Sequence, residues 1–284
     1  MFRPSLRLDG KTALVTGAAS GLGRRLATDL FREHRCRLIL VDRDETGLRS
    51  LAEELDGDAR PKREPRVTCL TADTTDDEAI RRIADHPETS SIDVIVNCAG
   101  VLYAGPFESM PPGAFERVID INLMGTVRVT RALLPNLLRG VDPVLVNVAS
   151  AAGLAGAPGM CAYATSKFGV VGFSESLRAE LDRRVTVVAV CPTLIATNIV
   201  AAAQFPADVG AAKGKMDRVL ARHGMPVEKA SALILRGVIR RRRTILIGND
   251  AHVMDVLRRF APGLLDRTVA RMYRRMRERK LVPS

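Results

Sequence analysis

The chain has 284 residues, 46% of them hydrophobic and 4% aromatic, enough to enclose one sizeable core. Its formal net charge of +11 is lopsided, with 14 Arg and Lys against 4 Asp and Glu from Arg236 onward, so an acidic partner would concern the tail alone. No run approaches the ~18 apolar residues of a spanning helix, the first residues lack the apolar stretch of a secretory signal, and five cysteines without paired spacing offer no disulfide or metal framework.

A cytoplasmic protein with reduced, mostly buried thiols and no bound metal is therefore the expectation. The first apolar run, Thr12–Thr16, reads as a strand and leads into "TGAASGLGRRLA", with glycines at 17, 21 and 23. Glycine admits the positive φ of a tight turn and lets backbone N–H groups approach a pyrophosphate seated on the positive end of the following helix. A second run, Arg37–Val41, ends at Asp42, 19 residues beyond Gly23. A carboxylate there can accept both hydroxyls of an adenosine ribose while repelling a 2′-phosphate, which favours NAD. The adjacent Arg43 could instead clamp the 2′-phosphate of NADP.

Further strands are expected at 66–70, 92–97, 143–149, 185–190 and 244–248, several of them apolar on both faces, as strands covered by helices on each side must be. Helical spacing occupies 45–55, 76–86, 113–138 and 163–181. Strand and helix alternate throughout, which predicts a doubly wound parallel α/β sheet. Residues 56–65, "DGDARPKREP", read as an exposed polar loop.

In "CAYATSKFG", Tyr163 and Lys167 stand four apart on a predicted helix, on one face. A free phenol titrates near 10, too high for a base at neutrality. A neighbouring ammonium, together with the positive nicotinamide ring of the oxidised cofactor, is expected to favour the phenolate and make Tyr163 a general acid and base. Ser150 closes the strand thirteen residues upstream.

Taken together, Thr16, Gly17, Gly21 and Gly23, then "NCAG" at 97–100, Asn122 in "INLMGT", Ser150, and the Tyr163/Lys167 pair resemble, in order and spacing, the short-chain dehydrogenase/reductase superfamily over about residues 8 to 200. The resemblance implies a Rossmann-like fold and hydride exchange between NAD, or NADP, and a carbinol carbon. It implies that Ser150 bonds the substrate oxygen, Tyr163 exchanges its proton, Lys167 also holds the nicotinamide ribose and Asn122 supports a water relay. Cofactor contacts are implied for Gly17, Ser20, Gly21, Leu22, Gly23, Asp42, Arg43, Asp73, Thr74, Asn97, Ala99, Gly100, Tyr163, Lys167, Pro192 and Thr197. Asn97 is expected to brace the sheet centre more than to touch substrate, and Asp73 is as much a turn residue as an adenine contact. The family's PGxxxT is "PTLIAT" here, so Thr193 replaces a glycine, and its bulk is expected to crowd the nicotinamide side.

The segment after that motif, a lid over about 198–225, offers Val200, Phe205, Val209, Met216 and Met225 but no charge cluster, pointing to a lipophilic secondary alcohol or ketone. Residues 1–250 are expected to form the dinucleotide-binding catalytic domain and 251–284 a basic amphipathic helical tail. There Leu265, Val269, Met272 and Met276 share a face among arginines. That face would pack on its own domain or a sister subunit, or lie on an anionic membrane surface, leaving the protein cytoplasmic or peripheral to a membrane. Nucleic acid is disfavoured because no stacking platform accompanies the charge. Relatives commonly form dimers or tetramers. The alternative to an enzyme is a catalytically silent dinucleotide-binding regulator or a membrane-surface adaptor.

Overall fold

The computed structural model describes residues 4–57, 67–197 and 224–278, with single positions between 203 and 222. Strands β1 (Thr12–Thr16), β2 (Arg37–Asp42), β3 (Val67–Thr71), β4 (Val94–Asn97), β5 (Val144–Val148), β6 (Thr186–Pro192) and β7 (Thr244–Ile247) pair in parallel in the order β3-β2-β1-β4-β5-β6-β7. Every predicted strand is present, its ends within two residues of the apolar run.

Successive residues of a strand point to opposite faces, and here both faces are apolar. Ala13 and Val15, Val94 and Val96, and Val144 and Val146 enter one core. Leu14, Ile95 and Leu145 enter the other. Helices α1 (Gly21–Arg32), α2 (Glu45–Gly57) and α7 (Val227–Ile239) cover the first face with Leu26, Leu30, Leu48, Leu51 and Ile234. Helices α3 (Asp77–Ala84) and α5 (Gly125–Leu138) cover the second with Ile80, Ile83, Val129 and Leu133. Helix α4 (Ala114–Ile119) packs on α6 (Cys161–Leu181), which packs on β6, and α8 (Asn249–Phe260) and α9 (Pro262–Glu278) form the C-terminus.

The order reverses between β1 and β4, which opens a crevice at the carboxyl ends of these strands, the place where such sheets take ligands. Thr16 fastens its rim: its Oγ1 accepts from the backbone N–H of Cys98 (3.1 Å) and Ala99 (3.2 Å), coupling the end of β1 to the end of β4.

The sequence predicts one continuous helix over 113–138. The structure interrupts it with a π turn at Asp120–Met124 between α4 and α5. Such turns re-aim side chains, and this one carries Asn122. The polar loop expected at 56–65 lies almost wholly outside the described residues, as do most of the 198–225 lid and its Val200, Val209 and Met216.

The C-terminal helices dock on their own domain. Leu265 is buried, Val269 and Tyr273 are half-buried, and Met272 is 51% exposed. The packed stripe is thus Leu265, Val269 and Tyr273, whereas the sequence pattern placed Met272 in it. Met272 is turned out because the ring of Tyr273 takes the inward place, against Gly159. Among the "RRRR" at 240–243, Arg241 is structural: it donates to the Pro4 carbonyl (2.9 Å) and to Thr186 Oγ1 (2.7 Å) and pairs with Asp142. No described helix is long and apolar enough to cross a membrane.

Candidate active site

The glycine loop has the geometry its sequence requires. Gly17 and Gly21 hold φ of +69° and +54°, in the left-handed region. A Cβ on Gly17 would stand 2.8 Å from the Ala99 nitrogen, so the loop lies directly against the end of β4. Gly23 packs onto the Gly17 carbonyl with no room for a side chain. Ser20 precedes α1 in extended conformation and its hydroxyl makes no cap, so the helix N-terminus keeps its N–H groups available to an anion. Leu22 faces the core.

Asp42 ends β2 as expected, and its carboxylate is organised by backbone: Oδ2 accepts from Ala19 N–H (3.0 Å) and Oδ1 from Asp44 N–H (3.1 Å). It therefore fixes the glycine loop relative to the β2–α2 turn. Arg43 is exposed on an open cleft lined also by Asp73, Thr75, Ile121 and Met124. Asp73 Oδ1 accepts from both N–H and Oγ1 of Thr75 (2.9 and 2.8 Å), the turn role, while it borders that cleft. Thr74 is buried, with Gly125 packed beneath it.

Lys167 lies one turn beyond Tyr163 on α6, its Nζ 5.6 Å from the centre of the phenol ring, and donates to the Val148 carbonyl (2.8 Å). The ammonium is buried, and burial pushes it down to about 8. The Cys98 and Cys191 thiols are pushed up by burial to about 12, so they stay protonated and inert. Burial raises the Tyr163 phenol above its ordinary value, while its hydrogen bond with Ser150 pulls the other way. In the protein's own field the phenol is thus raised, because desolvation outweighs its neighbours, whereas the sequence expectation counts the nicotinamide ring of the oxidised cofactor beside Lys167. Ser150 stands two residues beyond β5, its Oγ accepting from Ala152 N–H (3.1 Å) in the one-turn helix Ala151–Gly153.

Asn122 is fully buried. Its amide grips the backbone of Val101 from both sides, Oδ1 accepting from N–H (2.7 Å) and Nδ2 donating to C=O (3.0 Å). Nδ2 also donates to Ser166 Oγ (3.0 Å), which donates to the Tyr163 carbonyl (2.7 Å). Ser166, which the motifs did not single out, thus joins the π turn to the Tyr163 turn of α6. A Cβ on Gly100 would sit 3.1 Å from Asn122 Oδ1 and 3.6 Å from Lys167 Nζ, so Gly100 keeps the floor between them low.

Asn97 braces the sheet: Nδ2 donates to Asn147 Oδ1 on β5 (2.9 Å) and to Thr130 Oγ1 on α5 (3.0 Å). Asn147 Nδ2 donates onward to Ser174 Oγ on α6 (3.0 Å). Pro192 closes β6, and Thr197 stands across the glycine loop, its Cβ 3.4 Å from where a Gly21 Cβ would be. Thr193 does not crowd the crevice. Its Oγ1 turns toward β7, donates to the Ile247 carbonyl (3.1 Å) and fills space left by Gly248, so the bulk is absorbed on the far side.

Next to the Tyr163 ring lie Leu102, Ala104, Met160, Ala203 and Phe205, an apolar wall. Among the described residues no cluster of His, Cys, Asp and Glu could hold a metal. The free cysteines range from buried Cys36 and Cys191 to exposed Cys161, so burial of the thiols is less general than the sequence implied.

The family model described as "short chain dehydrogenase" matches residues 11–206. The chain belongs to the short-chain dehydrogenase/reductase family. Within it, the chain is 34% identical over 272 residues to SadH of Mycobacterium tuberculosis, named an oxidoreductase, covering 92% of this chain and 95% of that one. It is 33% identical to dehydrogenase/reductase SDR family member 7B of Bos taurus, covering 94% and 82%. A short-chain dehydrogenase/reductase from Burkholderia phymatum, solved in complex with NAD, superposes with a TM-score of 0.82 at 26% identity, covering 91% and 96%. The protein is an oxidoreductase of the short-chain dehydrogenase/reductase family.

Proposed function

We propose that this short-chain dehydrogenase/reductase interconverts a lipophilic secondary alcohol and its ketone with NAD as the preferred partner. The observation that carries the reading is the convergence of Ser150, Tyr163 and Lys167 beside an apolar wall. The residues present fit a dinucleotide: two glycines at positive φ, an uncapped helix N-terminus and a carboxylate at the end of β2. Likenesses solved with NAD and with NADPH support a nicotinamide dinucleotide, and the preference for NAD rests on Asp42.

When bound, the nicotinamide supplies or removes the hydride. The chain's own residues do the rest. Gly17, Ser20, Gly21 and the start of α1 receive the pyrophosphate, and Asp42 the adenosine ribose. Ser150 Oγ orients the substrate oxygen, and Tyr163, hydrogen-bonded to Ser150, gives that oxygen its proton in reduction or takes it in oxidation. Lys167 holds the nicotinamide ribose and keeps a positive charge beside the phenol. Asn122 and Ser166 hold the backbone on either side of this group. Leu102, Ala104, Met160 and Phe205 exclude water and favour a hydrocarbon substrate. The catalytic domain over 1–250 works as a dimer or tetramer in the cytoplasm.

The competing reading is a dinucleotide-binding regulator without turnover, which would need only the glycine loop and Asp42. Tyr163→Phe separates the two: NAD affinity is retained while carbonyl reduction falls at least 10²-fold, the scale of a positioned acid. Equal turnover by the variant refutes the role of Tyr163. Tight cofactor binding with no turnover by the parent on any hydrophobic ketone or alcohol favours the regulator.

A further inference from the structure

The elbow between α8 and α9 exposes apolar side chains that the fold leaves uncovered. Val253 is 56% exposed, Val256 53%, Phe260 82% and Leu264 54%. At 3.6 residues per turn Val253, Val256 and Phe260 fall within about 60° of arc. The opposite side of α8 is the packed one: Ala251 is fully buried, and Arg258 lies 5.0 Å from the centre of the Phe168 ring and donates to the Gly153 carbonyl (3.4 Å). Phe260 ends α8, Leu264 stands in the first turn of α9, and the non-helical Ala261 alone breaks the helix between them. Four large apolar groups thus crown one corner, and they are not the Leu265, Val269 and Tyr273 face that holds α9 to the domain.

The charge on the exposed side of α9 beside this crown is mostly basic. Arg267, Arg271, Arg274 and Arg275 are all exposed. By helical spacing they share with Leu264 the side of α9 turned away from Leu265 and Val269, and of the carboxylates on α9 only Glu278, in its last turn, falls on that side. Apolar groups at the tip and guanidinium groups behind them match a bilayer whose surface is anionic: side chains enter the acyl boundary while arginines stay at the headgroups. A protein partner would need carboxylates set in a fixed pattern against the arginines; a lipid surface supplies movable negative charge.

We propose that the α8–α9 elbow is an interfacial anchor that seats the protein on an anionic lipid surface through Val253, Val256, Phe260 and Leu264. The anchor stands close to the substrate mouth. Helix α8 contacts the turn Ala151–Gly153 that follows Ser150, and Tyr273 of α9 rests on Gly159, whose carbonyl accepts from Gly105 N–H (2.8 Å) beside the apolar wall. Seating the elbow would bring that mouth to the layer where a hydrocarbon substrate is dissolved. This delivery role rests on the proposed lipophilic substrate; the anchoring itself does not.

The test is sedimentation of the full-length protein with phosphatidylcholine vesicles, with and without phosphatidylserine. The parent is expected to sediment with phosphatidylserine vesicles, to bind at least tenfold less to phosphatidylcholine alone, and to be released by high salt. Val256→Asn/Phe260→Asn, at exposed positions, is expected to lose binding at least tenfold with an unchanged melting temperature. Arg271→Gln/Arg274→Gln is expected to lose the preference for phosphatidylserine. A parent that stays in the supernatant at every phosphatidylserine content overturns the proposal, and so does a Val256/Phe260 variant that sediments like the parent. If that variant instead dissociates an oligomer of the parent in vesicle-free size-exclusion runs, the elbow is a subunit interface and the proposal is wrong. Turnover of a water-soluble ketone, measured separately, reports on the catalytic reading; its absence alongside normal sedimentation would sink that reading and leave the anchor standing.

Discussion

Thr193 and Gly248 divide one space between them: the Thr193 hydroxyl donates to the Ile247 carbonyl (3.1 Å) and occupies the position that a side chain on Gly248, at φ +92°, would need. The extra bulk after β6 is accommodated because the start of α8 yields it room. Gly248→Ala is expected to lower the unfolding free energy by about 1–3 kcal/mol, from both the positive φ and the overlap. Thr193→Gly in the same background should restore the steric part and leave the conformational part. Urea unfolding of the four members of this cycle measures the coupling, and strict additivity would contradict it.

Asp42 is expected to do two jobs, since its carboxylate already accepts from Ala19 and Asp44 N–H groups. Asp42→Ala should raise KM for NAD by about ten- to hundredfold, the scale of a lost charged hydrogen bond, and raise it less for NADP. The ratio of kcat/KM for the two cofactors is the readout. A parent that prefers NADP would reassign the site to Arg43.

Lys167 gives the pH dependence its sign. Burial holds its ammonium at about 8, so the charge is present below that pH and lost above it. The raised Tyr163 phenol keeps its proton through neutrality, as an acid in reduction must. Reductive kcat/KM, which reports the free enzyme, is therefore expected to fall as pH rises through about 8. Lys167→Arg keeps the charge at any accessible pH and should move this limb upward even where the maximal rate drops. An unmoved limb would assign it to another group.

Asn147→Ala would remove the acceptor for Asn97 Nδ2 and the donor to Ser174 Oγ at the centre of the sheet. A loss of about 1–3 kcal/mol in unfolding free energy is expected for polar groups left unpaired in the interior. Thermal and urea unfolding measure it, and a neutral variant would mean that the ladder is idle.

The strands and most helices were legible because two-sided apolar runs and helical spacing alternate without ambiguity from Thr12 to Leu181. The glycine loop was legible because its backbone needs leave few residue choices. What stayed hidden was decided by contacts that only the assembled fold creates. The π turn at Asp120–Met124 leaves the side-chain pattern of a helix intact while changing its hydrogen-bond register. Thr193's rotation depended on Gly248, 55 positions away. Tyr273 rather than Met272 faces inward because of Gly159, on another loop. Ser166 read as part of a helix until Asn122 was seen to donate to it. The upward push of burial on the phenol was not legible, because neighbouring charge can be read from spacing and desolvation cannot.

Asn97 and Asn147 stand opposite each other where β4 and β5 pair, Asn97 between Val96 and Cys98 and Asn147 between Val146 and Val148. A slip by a single residue would set Asn97 against Val146 or Val148 and turn both amides into apolar surroundings. Aliphatic strands by themselves tolerate misalignment, since one valine replaces another. The amide pair makes this sheet proofread its own assembly, and Ser150, two residues beyond the end of β5, is delivered to Tyr163 only when that check has been passed.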